Sequence, residues 1–331
     1  MKKIKSLKMK ILKSIGIILS VIVLLALAGG IYVNSTLPNT GNAEVIKVEA
    51  TAQRIERGEY LANHVAACMD CHSKRDWNLY AGPMVSGTLG SGGELFDENL
   101  GFPGKIYAPN ITPHTLAGWT DGEIIKAITT GKSKDGSALF PLMAYPRFGK
   151  MDKEDVLSIV AYLRSIAPIT NVIPKTELDF PVNLINKTLP RKAQFKKIPA
   201  EKDSVSYGAY LVNVAGCVDC HSKTDKGQVI AGTEFGGGME FKFPDGTLTS
   251  PNITMHKTNG IGNWSKEAFV QRFKMYSDTT YQPEVVGLSV NNTPMPWSMY
   301  TGMKNKDLEA IYAYLKNLNP KDNKVDKRVY N

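Results

Sequence analysis

The 331-residue chain has four cysteines, and all four fall in two copies of one short pattern. Cys68-Met69-Asp70-Cys71-His72 and Cys217-Val218-Asp219-Cys220-His221 both read C-x-x-C-H. Two thiols three residues apart on one helical turn reach the two vinyl groups of a single haem and form thioethers. The adjoining histidine then turns its ring toward the iron. One copy alone is open to two other readings, a redox dithiol or half of a zinc site. Two copies favour haem, because a zinc site built from both pairs would span two separate parts of the chain. No cysteine is left over for a disulfide.

The ligand opposite the histidine separates electron transfer from catalysis. A methionine there closes a six-coordinate iron and raises its potential. Met143 and Met295 follow His72 and His221 at similar distances, each in a stretch rich in proline and aromatics, LMAYP and TPMPW. They are the expected distal ligands. Met151 and Met303 also correspond but stand beside the starts of later helices, where packing explains them. His64 has no histidine counterpart, since position 213 is Asn, and reads as a surface or packing residue. His114 and His256 are equivalent loop residues. In the repeated P-N-I-T, Asn110, Thr112, Asn252 and Thr254 are turn-formers. With Tyr107 they are also candidates to hydrogen-bond haem propionates, and Trp119 and Trp264 are candidate walls of the haem.

These residues need elements to position them. RGEYLANHV before the first motif and YGAYLVNV before the second have helical spacing. Each unit also closes in a helix, Lys153 to Ser165 and Lys306 to Leu318, with Asp152 and Asn305 as expected caps. Gly58 and Gly208 sit early in the opening helices and allow a close approach by Tyr162-Leu163 and Tyr314-Leu315. No run alternates apolar and polar residues long enough to predict a sheet. The order of features recurs along the chain, with 149 residues between Cys68 and Cys217 and 152 between Met143 and Met295. Slowly drifting offsets mark duplicated domains with loop insertions. The expected layout is a basic N-terminus at 1–13, a membrane helix at 14–33 and a tether at 34–53. A first domain at 54–167, a proline-rich linker at 168–203, a second domain at 204–320 and a charged tail at 321–331 complete it. In the linker, Phe180, Val182, Leu184 and Ile185 are apolar enough to lie against a domain.

Composition bounds the rest. The chain is 43% hydrophobic and 21% charged, which excludes long disorder and a polytopic membrane protein. Six lysines, Lys2, Lys3, Lys5, Lys8, Lys10 and Lys13, account for six of the +9 charges, so nothing points to nucleic acid. No charged residue occurs between Lys13 and Glu44. Ser14 to Val33 is long enough to cross a bilayer, and the lysines before it stay cytoplasmic. The rival is a signal peptide cleaved near Ala26-Leu27-Ala28. Either way the body is exported.

The strings RGEYL, CMDCH, YAPNITP, LMAYPRF and DVLSIVAYL, with CVDCH, PNIT, PMPW and LEAIYAYL, resemble class I cytochrome c domains in tandem. They are most similar to the cytochrome c subunits of membrane-bound bacterial alcohol, gluconate and similar sugar-acid dehydrogenases. Those subunits usually carry three such domains, and their anchor is often C-terminal. The resemblance implies an all-α fold, two small helical domains whose first and last helices cross. It implies two covalent haem c groups on Cys68, Cys71, Cys217 and Cys220, with His72 and His221 proximal and Met143 and Met295 distal.

The expected function is that of a membrane-anchored dihaem carrier, not an enzyme. It passes single electrons from a dehydrogenase or quinol donor to a respiratory acceptor such as a terminal oxidase, on the periplasmic side of the inner membrane. The alternatives are a dihaem enzyme of peroxidase or thiosulfate-oxidising type, which needs an open or unusual iron, and a haem-based sensor.

Overall fold

The computed structural model describes residues 2–278 and 280–331, without the side chains of 2–7. Met1 and the side chains of Lys2, Lys3 and Lys5, part of the expected basic N-terminus, therefore lie outside the described residues.

Helix α1 (Lys2–Thr36) has one apolar stretch, Lys8–Thr36, long enough to cross a membrane, and none of it is buried in protein. Its 29 residues rise about 43 Å. The segment after it is strapped along the first unit. Lys132 Nζ donates to Pro38 O at 2.8 Å, Lys126 Nζ to Gly41 O at 2.6 Å, and Val48 N to Asp121 Oδ2 at 2.8 Å.

In the first unit, α2 (Ala52–Tyr60) is capped by Thr51 and runs on through a π-helical turn, Leu61–Val65, to α3 (Cys68–Cys71). Then come α4 (Pro113–Leu116), α5 (Asp121–Thr130), α6 (Tyr145–Phe148) and α7 (Lys153–Ser165). Asp152 caps α7 as expected, accepting from Glu154 N at 2.9 Å. Helices α2 and α7 cross where Gly58 removes a side chain. A Cβ there would stand 1.9 Å from Ser158 O and 2.8 Å from Tyr162 Cβ.

A short helix, α8 (Val182–Ile185), lies between the units. The second unit repeats the design with α9 (Ser204–Ala215), α10 (Cys217–Cys220), α11 (Lys266–Lys274), α12 (Trp297–Tyr300) and α13 (Asn305–Lys316). Its crossing is at Gly208, whose Cβ would stand 2.0 Å from Ala310 O and 3.0 Å from Tyr314 Cβ. Asn305 is not a cap. It is the first helical residue, and Lys304 before it makes no capping bond with its side chain. The buried apolar side chains of both units join in one continuous cluster, with Leu61, Val65, Met151 and Val160 from the first and Leu211, Met303, Leu308 and Leu315 from the second.

The all-α expectation needs correcting, since helix accounts for about 40% of the chain and eight short strands are present among the described residues. β1 (Leu95–Phe96), β2 (Gly104–Tyr107) and β3 (Glu177–Leu178) pair antiparallel in that order. β4 (Thr224–Asp225) pairs with β5 (Gln228–Val229). β6 (Glu240–Phe243) and β7 (Gly246–Thr249) form a hairpin, and β8 (Arg328–Tyr330) adds to its edge. Strands of two to four residues are too short to leave an alternating pattern.

The linker and tail are not loose. Linker groups bond along the first unit, with Gln194 N donating to Gly149 O at 2.7 Å and Ile198 N to Asp152 Oδ2 at 2.8 Å. The tail is tied down through β8. Phe180 and Ile185 do not lie against a domain; they are 78% and 51% exposed.

Candidate functional site

Each C-x-x-C-H begins after a left-handed residue, Ala67 (φ 49°) or Gly216 (φ 72°), which turns the chain sharply off the preceding helix. The cysteines then occupy one helical turn, closed by His72 N donating to Cys68 O and His221 N to Cys217 O, both at 3.0 Å. Burial pushes the Cys68, Cys71 and Cys217 thiols up to about 12. A redox dithiol needs the opposite shift. Among the described residues, no three His, Cys, Asp or Glu side chains gather where they could hold a metal ion. The zinc reading therefore has no geometry behind it.

The histidines are the most informative part. His72 Nδ1 lies 2.8 Å from Pro109 O, and His221 Nδ1 lies 2.9 Å from Pro251 O. A proline carbonyl only accepts, so Nδ1 carries the proton in both rings. Burial lowers both pKa values and keeps the imidazoles neutral. That leaves each Nε2 lone pair free, the arrangement an iron ligand requires.

The prolines that accept these bonds belong to P-N-I-T, and the rest of that motif has a role the sequence did not disclose. Asn110 Oδ1 accepts from Thr112 N and Oγ1 at 2.9 and 2.8 Å, while its Nδ2 donates to Ile169 O at 2.7 Å. Asn252 does the same with Thr254, at 2.9 and 2.7 Å, and with Lys321 O at 2.7 Å. Each motif thus clamps the chain that follows the closing helix and holds the carbonyl that orients the histidine. Asn110, Thr112, Asn252 and Thr254 are buried and already paired, which removes the propionate role suggested for them.

Met143 and Met295 sit in matching turns, half-buried against the core. Tyr145 N donates to Met143 O at 2.7 Å, and Trp297 N to Met295 O at 2.8 Å. Met151 and Met303 are 0% and 1% exposed within the core, in line with a packing role. His114 and His256 have different partners, an exposed contact with Thr170 and a bond from Asn259 N. Trp119 is half-buried against the core, and Trp264 is 38% exposed.

The two units are joined by reciprocal contacts between equivalent residues. Tyr60 donates to Asp307 of the second unit, and Tyr210 donates to Asp155 of the first at 2.6 Å. Lys304 N and Asp152 N donate back to the same two hydroxyls at 3.0 and 3.2 Å. Further out, the His64 ring meets Met299 O at 2.9 Å, and Asn213 Nδ2 donates to Arg147 O at 3.4 Å. Each of these carbonyls lies four residues after the distal-ligand candidate of its unit. Position 213 is therefore the counterpart of His64 in role, although not in residue type. Asp70 pairs with Arg75 within its own unit at 2.9 Å, and burial raises its carboxyl to about 6. Asp219 instead meets Arg147 from across the boundary.

Sequence comparison relates the chain to known cytochromes c. Residues 205–319 match the cytochrome c family model. The chain is 26% identical over 296 residues to the cytochrome c subunit of a quinone-dependent alcohol dehydrogenase of Gluconacetobacter polyoxogenes, covering 85% of this chain and 59% of that one. It is 29% identical over 294 residues to the fructose dehydrogenase cytochrome subunit of Gluconobacter japonicus, covering 81% and 54%. Against a dihaem c-type cytochrome of Cereibacter sphaeroides it is 26% identical over 313 residues, covering 89% and 95%. The chain spans somewhat over half the length of the dehydrogenase subunits. It is a homologue of dehydrogenase cytochrome c subunits, with a cytochrome c domain at 205–319, and its cofactor is haem c.

Proposed function

We propose that the chain is a membrane-anchored dihaem cytochrome c that carries single electrons between a dehydrogenase or quinol donor and a respiratory acceptor. One observation supports this above the others: the same donor set occurs twice, with the same histidine tautomer set by the same proline carbonyl. Residues 54–167 and 204–320 are then tandem cytochrome c domains. Cys68 and Cys71 would hold one haem and Cys217 and Cys220 the other, with His72 and Met143, and His221 and Met295, as the residues that would bind the iron. Bound haem supplies the one-electron chemistry by cycling between ferric and ferrous iron. The protein's part is to fix ligand geometry, exclude water and keep the two sites at constant separation. The P-N-I-T clamps, the shared core and the crossed Tyr–Asp pairs serve these ends. The apolar helix anchors the body on the periplasmic face of the inner membrane, within reach of membrane partners such as a dehydrogenase and a terminal oxidase.

The reading is tested through the distal ligands. Met143→His and Met295→His each replace a thioether with an imidazole, so each lowers one of two midpoint potentials and leaves the other. Each also removes about half of the Met–iron charge-transfer absorbance of the oxidised protein. Met151→Leu and Met303→Leu leave both potentials in place and cost about 1.5 kcal/mol or less. Loss of that absorbance in Met151→Leu, or a high-spin haem that turns over peroxide, overturns the proposal.

A further inference from the structure

We propose that the segment from Phe180 to Thr188 lies in the lipid–water interface beside the exit of α1, so that the first unit meets the bilayer at two points. This rests on reading α1 as an uncleaved anchor.

The geometry at the helix exit carries the argument. Helix α1 ends at Thr36, and Lys132 already holds the carbonyl of Pro38 at 2.8 Å. The first unit therefore has almost no slack with which to move away from the point where α1 leaves the membrane. Helix α8 and the 3₁₀ turn after it, Asn186–Thr188, pack against the end of α1. Lys187 Nζ donates to Asn34 Oδ1 at 2.6 Å, only two residues before the helix ends.

The segment is also fixed to the first unit. Asn186 is buried, and its Nδ2 donates to Ala138 O at 3.0 Å. β3 on one side pairs with β2, and on the other Arg191 N donates to Thr130 O at 3.2 Å. Despite this anchoring, the segment turns its largest apolar side chains outward, with Phe180 78% and Ile185 51% exposed. Tyr32 on the last turns of α1 is likewise 58% exposed. Aromatic and aliphatic side chains flanked by four cations, Lys175, Lys187, Arg191 and Lys192, against two acids, Glu177 and Asp179, match the composition of a membrane boundary, where rings sit at headgroup depth and cations meet phosphates. Lipid is the neighbour that α1 itself brings to this place. Docking there would fix the orientation of the first unit relative to the membrane plane.

The test uses full-length holoprotein in phosphatidylcholine nanodiscs. With the native cysteines in thioethers, an introduced cysteine is the sole free thiol. Phe180→Cys and Ile185→Cys are labelled with a nitroxide, beside Leu19→Cys in the anchor and Val329→Cys in the C-terminal strand. Collision with oxygen, which concentrates in hydrocarbon, is compared with collision with a water-soluble nickel chelate. The expected result places the labels at 180 and 185 between the anchor label and the Val329 label. Labels at 180 and 185 that match the Val329 label, with the anchor label in lipid, overturn the proposal and leave the anchor reading standing. An anchor label exposed to nickel overturns both. Labels at 180 and 185 shielded from both reagents mark a protein contact and also overturn the lipid assignment.

Discussion

Tyr60→Phe should weaken the protein more than Tyr210→Phe, although the two hydroxyls occupy equivalent places. Tyr210 donates to Asp155, which also receives the Arg57 guanidinium through two bonds at 2.8 Å. Without Tyr210 that carboxylate keeps both. Asp307 is 1% exposed and receives only the hydroxyls of Tyr60 and Tyr207, the latter at 3.1 Å, with no ion pair among the described residues. Position 57 is Arg where position 207 is Tyr, and that one difference decides which carboxylate depends on its neighbour. A hydrogen bond to a charged group contributes about 1.5–3 kcal/mol, and a buried carboxylate left short of donors sits at the upper end. Tyr60→Phe should therefore cost about 3 kcal/mol and Tyr210→Phe about 1.5 kcal/mol. Guanidinium unfolding of the detergent-solubilised holoprotein, followed by circular dichroism, measures both. Because these bonds cross between the units, Tyr60→Phe should also split a single transition into two. Equal losses, or a larger loss for Tyr210→Phe, would refute the reasoning.

Three further outcomes follow from the same structure. Gly58→Ala and Gly208→Ala should each cost about 1–3 kcal/mol or more in the same unfolding assay, because the new methyl meets a backbone carbonyl across the helix crossing, whereas Gly118→Ala, with open space around it, should be neutral. Stability should fall as pH rises above about 10, since burial raises the Tyr60 and Tyr210 hydroxyls in the folded state while the unfolded chain deprotonates there; the Tyr60→Phe, Tyr210→Phe double variant should lose less over that range in urea melts at stepped pH. The protein should stay in the membrane fraction through a high-salt wash with its N-terminal peptide detectable by mass spectrometry, and a mature chain starting near Gly29 in the soluble fraction would contradict the anchor.

The parts of the site that were legible in the sequence are those made by residues close together in the chain. The C-x-x-C-H turns and the Asp152 cap are local patterns, and the structure forms both where the spacing implies; Gly58 and Gly208 stand out as small residues early in their helices, where the closing helices cross them. What was not legible arrives from far away. Asn110 and Asn252 looked like turn residues because the carbonyls they clamp lie 59 and 69 residues further on. His64 seemed to have no counterpart because Asn213 makes the equivalent contact with a different side chain. Asn305 failed as a cap because the helix begins one residue earlier than the pattern suggested. The strand β8 was hidden in a charged tail, since its three residues gain a partner only from the hairpin they join.

The central claim is that two equivalent sites each hold a covalent haem. Intact-mass spectrometry of the purified, denatured chain tests it most directly, alongside the Cys68→Ala, Cys71→Ala and the Cys217→Ala, Cys220→Ala double variants. The account predicts a mass above the 36.3 kDa polypeptide by two haem groups, and one haem fewer in each double variant. A chain at polypeptide mass, or one carrying a single haem that only one pair of cysteines controls, would contradict it.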